Sequence, residues 1–242
     1  MTQAGNGGRL APAILFEDVR FRWPKATEPC LDVPAFRVDA GERIFIHGPS
    51  GSGKSTLLSL VGGVVEPERG RIEVLGRVLR EMRAGERDRF RAANIGFIFQ
   101  LFNLVPYLSA LDNIVLPCRF SGERAARVGS SVRDDALQLA RRLDLEPSLL
   151  NRSAAELSVG QQQRVAAARA LIGRPGLVIA DEPTSALDAD RQRAFLDLLL
   201  AECGASGACL LFVSHDERLS ARFDRVVNLA ELNRVTTSGL MR

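Results

Sequence analysis

Long apolar runs are missing from this chain of 242 residues: the best candidate, Leu57 to Val65, is short and broken by Gly62 and Gly63, whereas crossing a bilayer takes about 20 residues. No membrane span is expected. Cysteine is scarce as well. Cys30, Cys118, Cys203 and Cys209 show no C-x-x-C spacing, so no zinc site is suggested, and a chain this long folds without disulfides; the four are expected to be reduced thiols of a cytoplasmic protein. An excess of either charge is absent. With a net charge of +3 and basic residues scattered among acidic ones, no face presents a nucleic-acid stripe, and no nucleic-acid partner is expected. Even the cluster Arg77, Arg80, Arg83, Arg87, Arg89 and Arg91 is diluted by Glu81, Glu86 and Asp88 and reads as a solvated helix. Internal repeats, low-complexity tracts and heptads are lacking too. Residues 1–12 are rich in Gly and Ala but have no apolar centre, so a flexible tail is expected there and not a signal peptide.

What is present is ample material for a core, 46% hydrophobic residues, and one stretch around which the rest is arranged. Gly48-Pro49-Ser50-Gly51-Ser52-Gly53-Lys54-Ser55-Thr56 fits the phosphate-loop pattern G-x-x-x-x-G-K-[ST]. Its glycines let the backbone curl with N–H groups pointing inward at an anion, and a helix opening near Lys54 aims its positive end at the same place. The neighbouring sequence supplies the required order. Arg43 to His47 reads as a buried strand before the loop, and Ser55 to Val61 as a helix after it.

Strands are expected at Ala13–Phe21, Ala35–Asp39, Arg71–Leu75, Asn94–Phe99, Leu177–Ala180, Ala208–Val213 and Arg225–Leu229, alternating with helices at Glu86–Ala93, Gln161–Leu171 and Ala189–Cys203. From Leu101 the pattern turns helical, at Leu108–Leu116 and Ser130–Leu145, with Arg133, Arg141 and Arg142 outward and Leu137, Ala140 and Leu143 inward. The pattern is an α/β fold, mostly parallel, with a helical insertion.

Two carboxylates end an apolar strand at Asp181-Glu182. At the edge of a parallel sheet beside a phosphate loop, Asp181 suits Mg²⁺ and Glu182, one residue farther, suits the polarisation of an attacking water. Ser55 offers a hydroxyl to the same metal, and Lys54 neutralises the outer phosphates. Gln100 and His215 each follow an apolar strand. Gln100 suits the metal or the water, and His215 the terminal phosphate; standing alone, the first reads more readily as an ordinary loop glutamine and the second as a structural histidine.

Taken in order, the phosphate loop, Gln100, Leu157-Ser158-Val159-Gly160-Gln161, Asp181-Glu182, Ser185-Ala186-Leu187-Asp188 and His215 resemble the Walker A, Q-loop, signature, Walker B, D-loop and H-loop elements of an ATP-binding cassette (ABC) ATPase. The resemblance runs from about Ile14 to the C-terminus. It implies a P-loop NTPase of ABC type: a RecA-like, mostly parallel sheet core, an N-terminal antiparallel β part and an inserted α-helical subdomain. Residues 13–242 are then one ABC ATPase domain, with 13–100 and 174–242 as nucleotide-binding core and about 101–173 as helical subdomain. The implied cofactors are ATP and Mg²⁺. Gly48, Pro49, Ser50, Gly51, Ser52, Gly53, Lys54, Ser55 and Thr56 hold the phosphates, Ser55, Gln100 and Asp181 the metal, and Glu182, His215, Gln100 and Lys54 the chemistry. Trp23 stands where the family stacks an aromatic on adenine.

The resemblance also implies a partner. Two copies face head to tail, so that Ser158, Gly160 and Gln161 of one close over ATP in the other, with Asp188 reporting across the seam. The signature departs from the usual pair of glycines in carrying Val159 first, which restricts the backbone and adds bulk; the expectation is that the site still closes and hydrolyses ATP. The stretch from Ile95 to Pro117 is similar to the subgroup of LolD, the ATPase part of MacB, and FtsE. It implies a separate transmembrane permease with few helices and a large extracytoplasmic domain, an export or mechanotransmission role such as lipoprotein release or macrolide efflux, and a place on the cytoplasmic side of the inner membrane, peripheral through the permease. Phe102, Leu104 and Tyr107 either face that permease or fill the lobe's own core. An importer ATPase, or a soluble ABC ATPase of DNA repair or ribosomes, is the alternative; the DNA-repair type needs a long coiled coil and the ribosomal type two cassettes. Leu232 to Arg242 is expected to be a short C-terminal tail without an appended regulatory domain.

Overall fold

Alternating apolar residues build the first element, β1 (Pro12–Phe21), which buries Ile14, Phe16, Val19 and Phe21 on one face. The computed structural model describes residues 11–129 and 131–235. Residues 1–10 of the expected N-terminal tail, Ser130 at the expected start of a helix and 236–242 of the expected C-terminal tail lie outside the described residues.

β1 pairs antiparallel with β2 (Leu31–Asp39). That strand begins ahead of the expected Ala35, because Leu31 and Val33 already belong to its buried face. β3 (Arg43–His47) leads through the glycine loop into α1 (Lys54–Val61). β4 (Arg69–Val74) returns antiparallel to β1, and β5 (Arg77–Val78), too short to be read from sequence, completes a sheet of order β2-β1-β4-β5. α2 (Ala84–Asn94) and β6 (Ile95–Ile98) follow.

The solvated-helix reading of the arginine cluster needs correction for two residues. Arg91 donates to the carbonyls of Gly62 and Gly63, each at 3.4 Å, just past the last turn of α1, where a cation satisfies carbonyls that the helix leaves unpaired. Arg87 is tied to the Met82 carbonyl at 3.0 Å and to Glu66.

The helical insertion consists of α3 (Ala110–Phe120), α4 (Gly122–Ala126), α5 (Val132–Arg142) and α6 (Val159–Leu171). α3 continues past the expected Leu116 and through Pro117, and α4 was not expected. Helix α6 starts at Val159 and not at Gln161, because the Ser158 hydroxyl and the Gln161 side chain cap its first turn reciprocally, a device that stabilises a helix by ~1 kcal/mol. β7 (Leu177–Asp181), α7 (Ala189–Ser206), β8 (Cys209–Val213), β9 (Arg225–Asn228) and the short α8 (Leu229–Leu232) end the described chain.

The second sheet is parallel, in the order β6-β7-β8-β3-β9. Its strands are apolar on both faces, as a sheet covered on both sides requires. Phe45, Val178, Ala180, Leu210 and Phe212 pack with the helical insertion, while Ile44, Ile46, Ile179, Leu211 and Val213 pack with α1 and the antiparallel sheet. The lobe therefore shares a continuous core with one face of the sheet. Each such fully buried side chain contributes roughly 1.5–3 kcal/mol. Gly96 of β6 lies so close to α6 that a Cβ there would sit 2.2 Å from the Ala170 carbonyl oxygen, which is what requires glycine at that point.

Candidate functional site

Because β6, β7, β8 and β3 are adjacent and parallel, their carboxyl ends all open at one edge of the sheet. β3 delivers the glycine loop and Lys54 there, β7 Asp181 and Glu182, β8 Ser214 and His215, and β6 leads to Gln100. These residues line one cleft of about 670 Å³, together with Ser50, Gly51, Gly53, Ser55 and Thr56.

The loop is shaped for an anion. Gly51 and Gly53 have φ of +79° and +99°, and a Cβ on Gly53 would lie 2.9 Å from Leu31 Cδ2, so only glycine fits between β2 and the start of α1. The Lys54 ammonium is curled back on its own loop, donating to the carbonyls of Gly48 at 2.8 Å and Pro49 at 3.0 Å. Burial lowers its pKa, opposed by Glu182 and Asp181. Ser55 Oγ donates to Asp181 Oδ2 at 3.4 Å, a pair of hard oxygen donors. Among the described residues no cluster of three or more His, Cys, Asp or Glu side chains forms a metal cage. So sparse an oxygen set suits Mg²⁺, which keeps its waters and leans on phosphate oxygens.

Burial lifts the carboxyls of both Asp181 and Glu182 above their ordinary values. For Asp181 the Ser55 hydroxyl, Lys54 and His215 oppose the rise; for Glu182 the opposing groups are chiefly His215 and Lys54. His215 Nε2 lies 2.9 Å from Glu182 Oε1, an electrostatic contact whose angle makes no hydrogen bond, so that buried oxygen is left without a partner. Glu182 also has a left-handed backbone, φ +50°, which costs a residue with a side chain about 1–3 kcal/mol. A carboxylate on a strained backbone, lining the cleft with Lys54 and His215, is suited to polarising water.

Other expected residues fall outside the cleft. Trp23 flanks it: the indole N–H reaches Thr56 Oγ1 at 3.3 Å, the ring packs edge-on against Phe21 at 5.0 Å, and the rest of the ring is exposed. Ser158, Gly160, Gln161 and Asp188 are not among the residues lining the cleft of their own chain. Ser158 and Asp188 stand exposed at the first turns of α6 and α7. Val159 projects outward, 47% exposed, at a helical position that a β-branched residue takes without strain, and a Cβ at Gly160 would meet nothing within 4 Å. Nothing inside the chain requires a small residue there.

The ABC transporter family profile matches residues 31–185. The chain belongs to the ABC transporter family. It is 42% identical over 79% of its length to the uncharacterised ABC transporter ATP-binding protein YbbA of Escherichia coli K12, covering 82% of that protein. It is 38% identical over 85% of its length to the lipoprotein-releasing system ATP-binding protein LolD of Xanthomonas campestris, covering 84% of it. Its fold matches the ABC cassette MJ0796, solved as a dimer in a post-hydrolysis state bound to ADP and Pi, with a TM-score of 0.79 and 33% identity over 89% of this chain and 93% of that one. The protein is an ABC-type ATPase acting on ATP with Mg²⁺.

Several residues that support the cassette's cleft escaped the sequence reading. Asn233, far from the loop in sequence, donates to the carbonyls of Cys30 at 3.1 Å and Ser52 at 3.3 Å and accepts from the Asp32 N–H at 2.9 Å. It ties the glycine loop to β2, and no local pattern announces it. Arg169 of α6 donates to the carbonyls of Phe102 and Asn103 at 2.5 and 2.7 Å, holding two left-handed residues just beyond Gln100. Its signal was an arginine inside an alanine-rich helix. Thr184, Gln163 and Gln192, all buried, line or adjoin the segment after Glu182. The four cysteines are free thiols, and burial pushes Cys203 and Cys209 up to about 12.

The raised Glu182 pKa sets a sign for stability. The folded cassette binds that proton more tightly than the unfolded chain, so its ionisation destabilises the fold as pH rises out of the ordinary carboxylate range. Glu182→Gln is expected to melt above the parent at neutral pH without nucleotide, the gain fading as pH falls below about 4. A parent that melts higher at pH 7 contradicts this.

Proposed function

We propose that two copies of this cassette bind face to face around two Mg·ATP and that their closing and opening drives a separate membrane permease. The observation that carries the reading is the division of the site: Lys54, Ser55, Asp181, Glu182 and His215 share one cleft, while Ser158, Gly160 and Asp188 of the same chain do not line it. Each chain is half of two sites. MJ0796, similar over nine tenths of its length, is known as a dimer with ADP and Pi.

In this reading the glycine loop amides and Lys54 neutralise the outer phosphates, and Trp23 offers the adenine an exposed ring face. Ser55 and Asp181, with Gln100, would hold Mg²⁺, which would supply positive charge to offset that of the phosphates. Glu182 accepts a hydrogen bond from the attacking water as its oxygen bonds to the terminal phosphorus and the bond to ADP breaks, while His215 hydrogen-bonds the terminal phosphate. Ser158, the Gly160 amide and the capped start of α6 at Gln161 close over that phosphate from the second copy, an anion site at a helix N-terminus. Asp188, at the first turn of α7, faces the same seam. Lys54→Ala is expected to lose ATP binding and turnover together. Glu182→Gln is expected to keep ATP binding and lose turnover by about 10²–10³-fold. A Glu182→Gln protein hydrolysing at the parental rate contradicts the assignment.

The permease reading rests on a second cleft of about 640 Å³, lined mainly by apolar side chains that include Val64, Phe97, Phe99 and Phe120 and reaching Ser55 and Asp181. Phe120 is 77% exposed, and Leu101 and Tyr107, on either side of the turn after Gln100, are each 83% exposed. Of the three candidate docking residues only Tyr107 is free to meet a partner: Phe102 is buried and Leu104 packs into the lobe's core. A cytoplasmic helix of the permease docked in this cleft would sense the nucleotide through Ser55 and Asp181, which line both clefts, with Gln100 next to Phe99 at its rim. Among the described residues no helix is long and apolar enough to cross a membrane. In this reading a permease with few helices and a large extracytoplasmic domain, of the lipoprotein-release or macrolide-efflux type, holds the cassette on the cytoplasmic side of the inner membrane. The similarity to LolD supports that type. Co-expressed with its permease, a Tyr107→Glu, Phe120→Glu double variant is expected to leave the membrane fraction; undiminished co-sedimentation argues against docking here.

A further inference from the structure

We infer that Gln163 and Gln192 are positioning residues for the Glu182 carboxylate, and that through Gln163 the signature helix α6 controls that position. The inference rests on the reading of Glu182 as the group that polarises water. Two buried amides, from two different helices, donate to consecutive carbonyls immediately after Glu182. Gln163 of α6, 1% exposed, reaches the Pro183 carbonyl through Nε2 at 2.8 Å. Gln192 of α7, 9% exposed, reaches the Thr184 carbonyl through Nε2 at 3.1 Å.

The need for such a clamp follows from the backbone. Glu182 is left-handed at φ +50°, and its own N–H is fixed to the Val213 carbonyl of β8 at 3.0 Å. On the far side stands Pro183, which has no N–H to anchor the turn. A residue in a sparsely populated conformation persists only where its surroundings over-determine it. Here β8 holds one side, and on the other the two glutamines reinforce a turn closed by the Ser185 N–H on the Glu182 carbonyl at 3.3 Å and the Leu187 N–H on the Thr184 carbonyl at 3.1 Å. The side-chain type is informative: a buried charge would need a counter-charge, and an apolar residue would strip the Pro183 carbonyl of its Gln163 donor or leave the Thr184 carbonyl with the Leu187 N–H alone. An amide satisfies the carbonyl at no electrostatic cost.

The geometry also sets a route. Gln163 follows Ser158, Val159 and Gly160 on the same helix, so a displacement of the signature end of α6 is carried to Pro183 by a direct hydrogen bond. Gln192 does the same for α7, which opens at Asp188, and its side chain lines the nucleotide cleft itself. Both helices that present exposed first turns to the seam thereby grip the turn behind the carboxylate.

The test is steady-state hydrolysis of Mg·ATP by Gln163→Leu and Gln192→Met, swaps of similar size that remove the side-chain amide, measured beside Glu182→Gln and with melting curves for all three. Positioning predicts kcat lowered about tenfold or more in each glutamine variant, with KM for ATP within about twofold of the parent. In folded variants, kcat within twofold of the parent overturns the inference, and so does a rise in KM that accounts for the whole loss. Should Gln163→Leu fail to fold, Gln192→Met, on the other helix, decides alone by the same split. If Glu182→Gln itself turns over at the parental rate, the reading of Glu182 has failed; if it is inactive while the glutamine variants are unimpaired, only the clamp has.

Discussion

The parallel register of β3, β7 and β8 is the constraint on which everything else rests. Ile44 pairs with Leu211, and Ile179 pairs with Leu211 from the other side, so the three strands end level. One ammonium, two carboxylates and an imidazole are thereby brought to a single cleft from points far apart in sequence. Residues apolar on both strand faces enforce that register, because a slip of one residue would exchange the side chains packed against the insertion for those packed against α1. The apolar core and the polar site are two consequences of one alignment.

That alignment has an electrostatic cost. Asp181 and Glu182 sit where burial raises their pKa values, Glu182 keeps one oxygen unpaired, and Lys54 is folded onto carbonyls of its own loop. Each of these groups is better satisfied by a magnesium-bound polyphosphate than by the empty cleft: the carboxylates gain a cation, the ammonium gains phosphate oxygens, and the glycine loop gains an acceptor for its amides. Complementary pieces lie elsewhere on the surface, at the exposed first turns of α6 and α7. In the proposed arrangement the exposed first turns of those helices face a second copy, while Gln163 and Gln192, within the first two turns of the same helices, hold the turn behind Glu182.

Much of this could be read from the residues in order. The glycine loop lies between the strand and the helix expected of it, and Asp181, Glu182, His215 and Gln100 each follow the apolar strand that the sequence pointed to, because a fully buried strand ending in a polar residue is a local signal. What escaped was long-range or conformational. Asn233 reaches the glycine loop across the whole chain, a relation with no local pattern. Arg91 read as part of a solvated helix and Arg169 was not singled out, yet both hold carbonyls of neighbouring turns. β5 is too short to show a period, and the early start of α6 depended on a reciprocal cap whose geometry only the fold displays. Val159 looked like a source of strain at the signature; at the first helical position, with its side chain in solvent, it imposes none within the chain.

The central claim, that two copies trap Mg·ATP between them, is tested most directly by the sedimentation velocity of Glu182→Gln with and without saturating ATP and magnesium. The account predicts a monomer without nucleotide and a dimer holding two ATP with it, lost again when Ser158 is replaced by a bulky acidic residue. A Glu182→Gln protein that binds ATP and yet sediments as a monomer at every concentration, alone or with its permease, would contradict it.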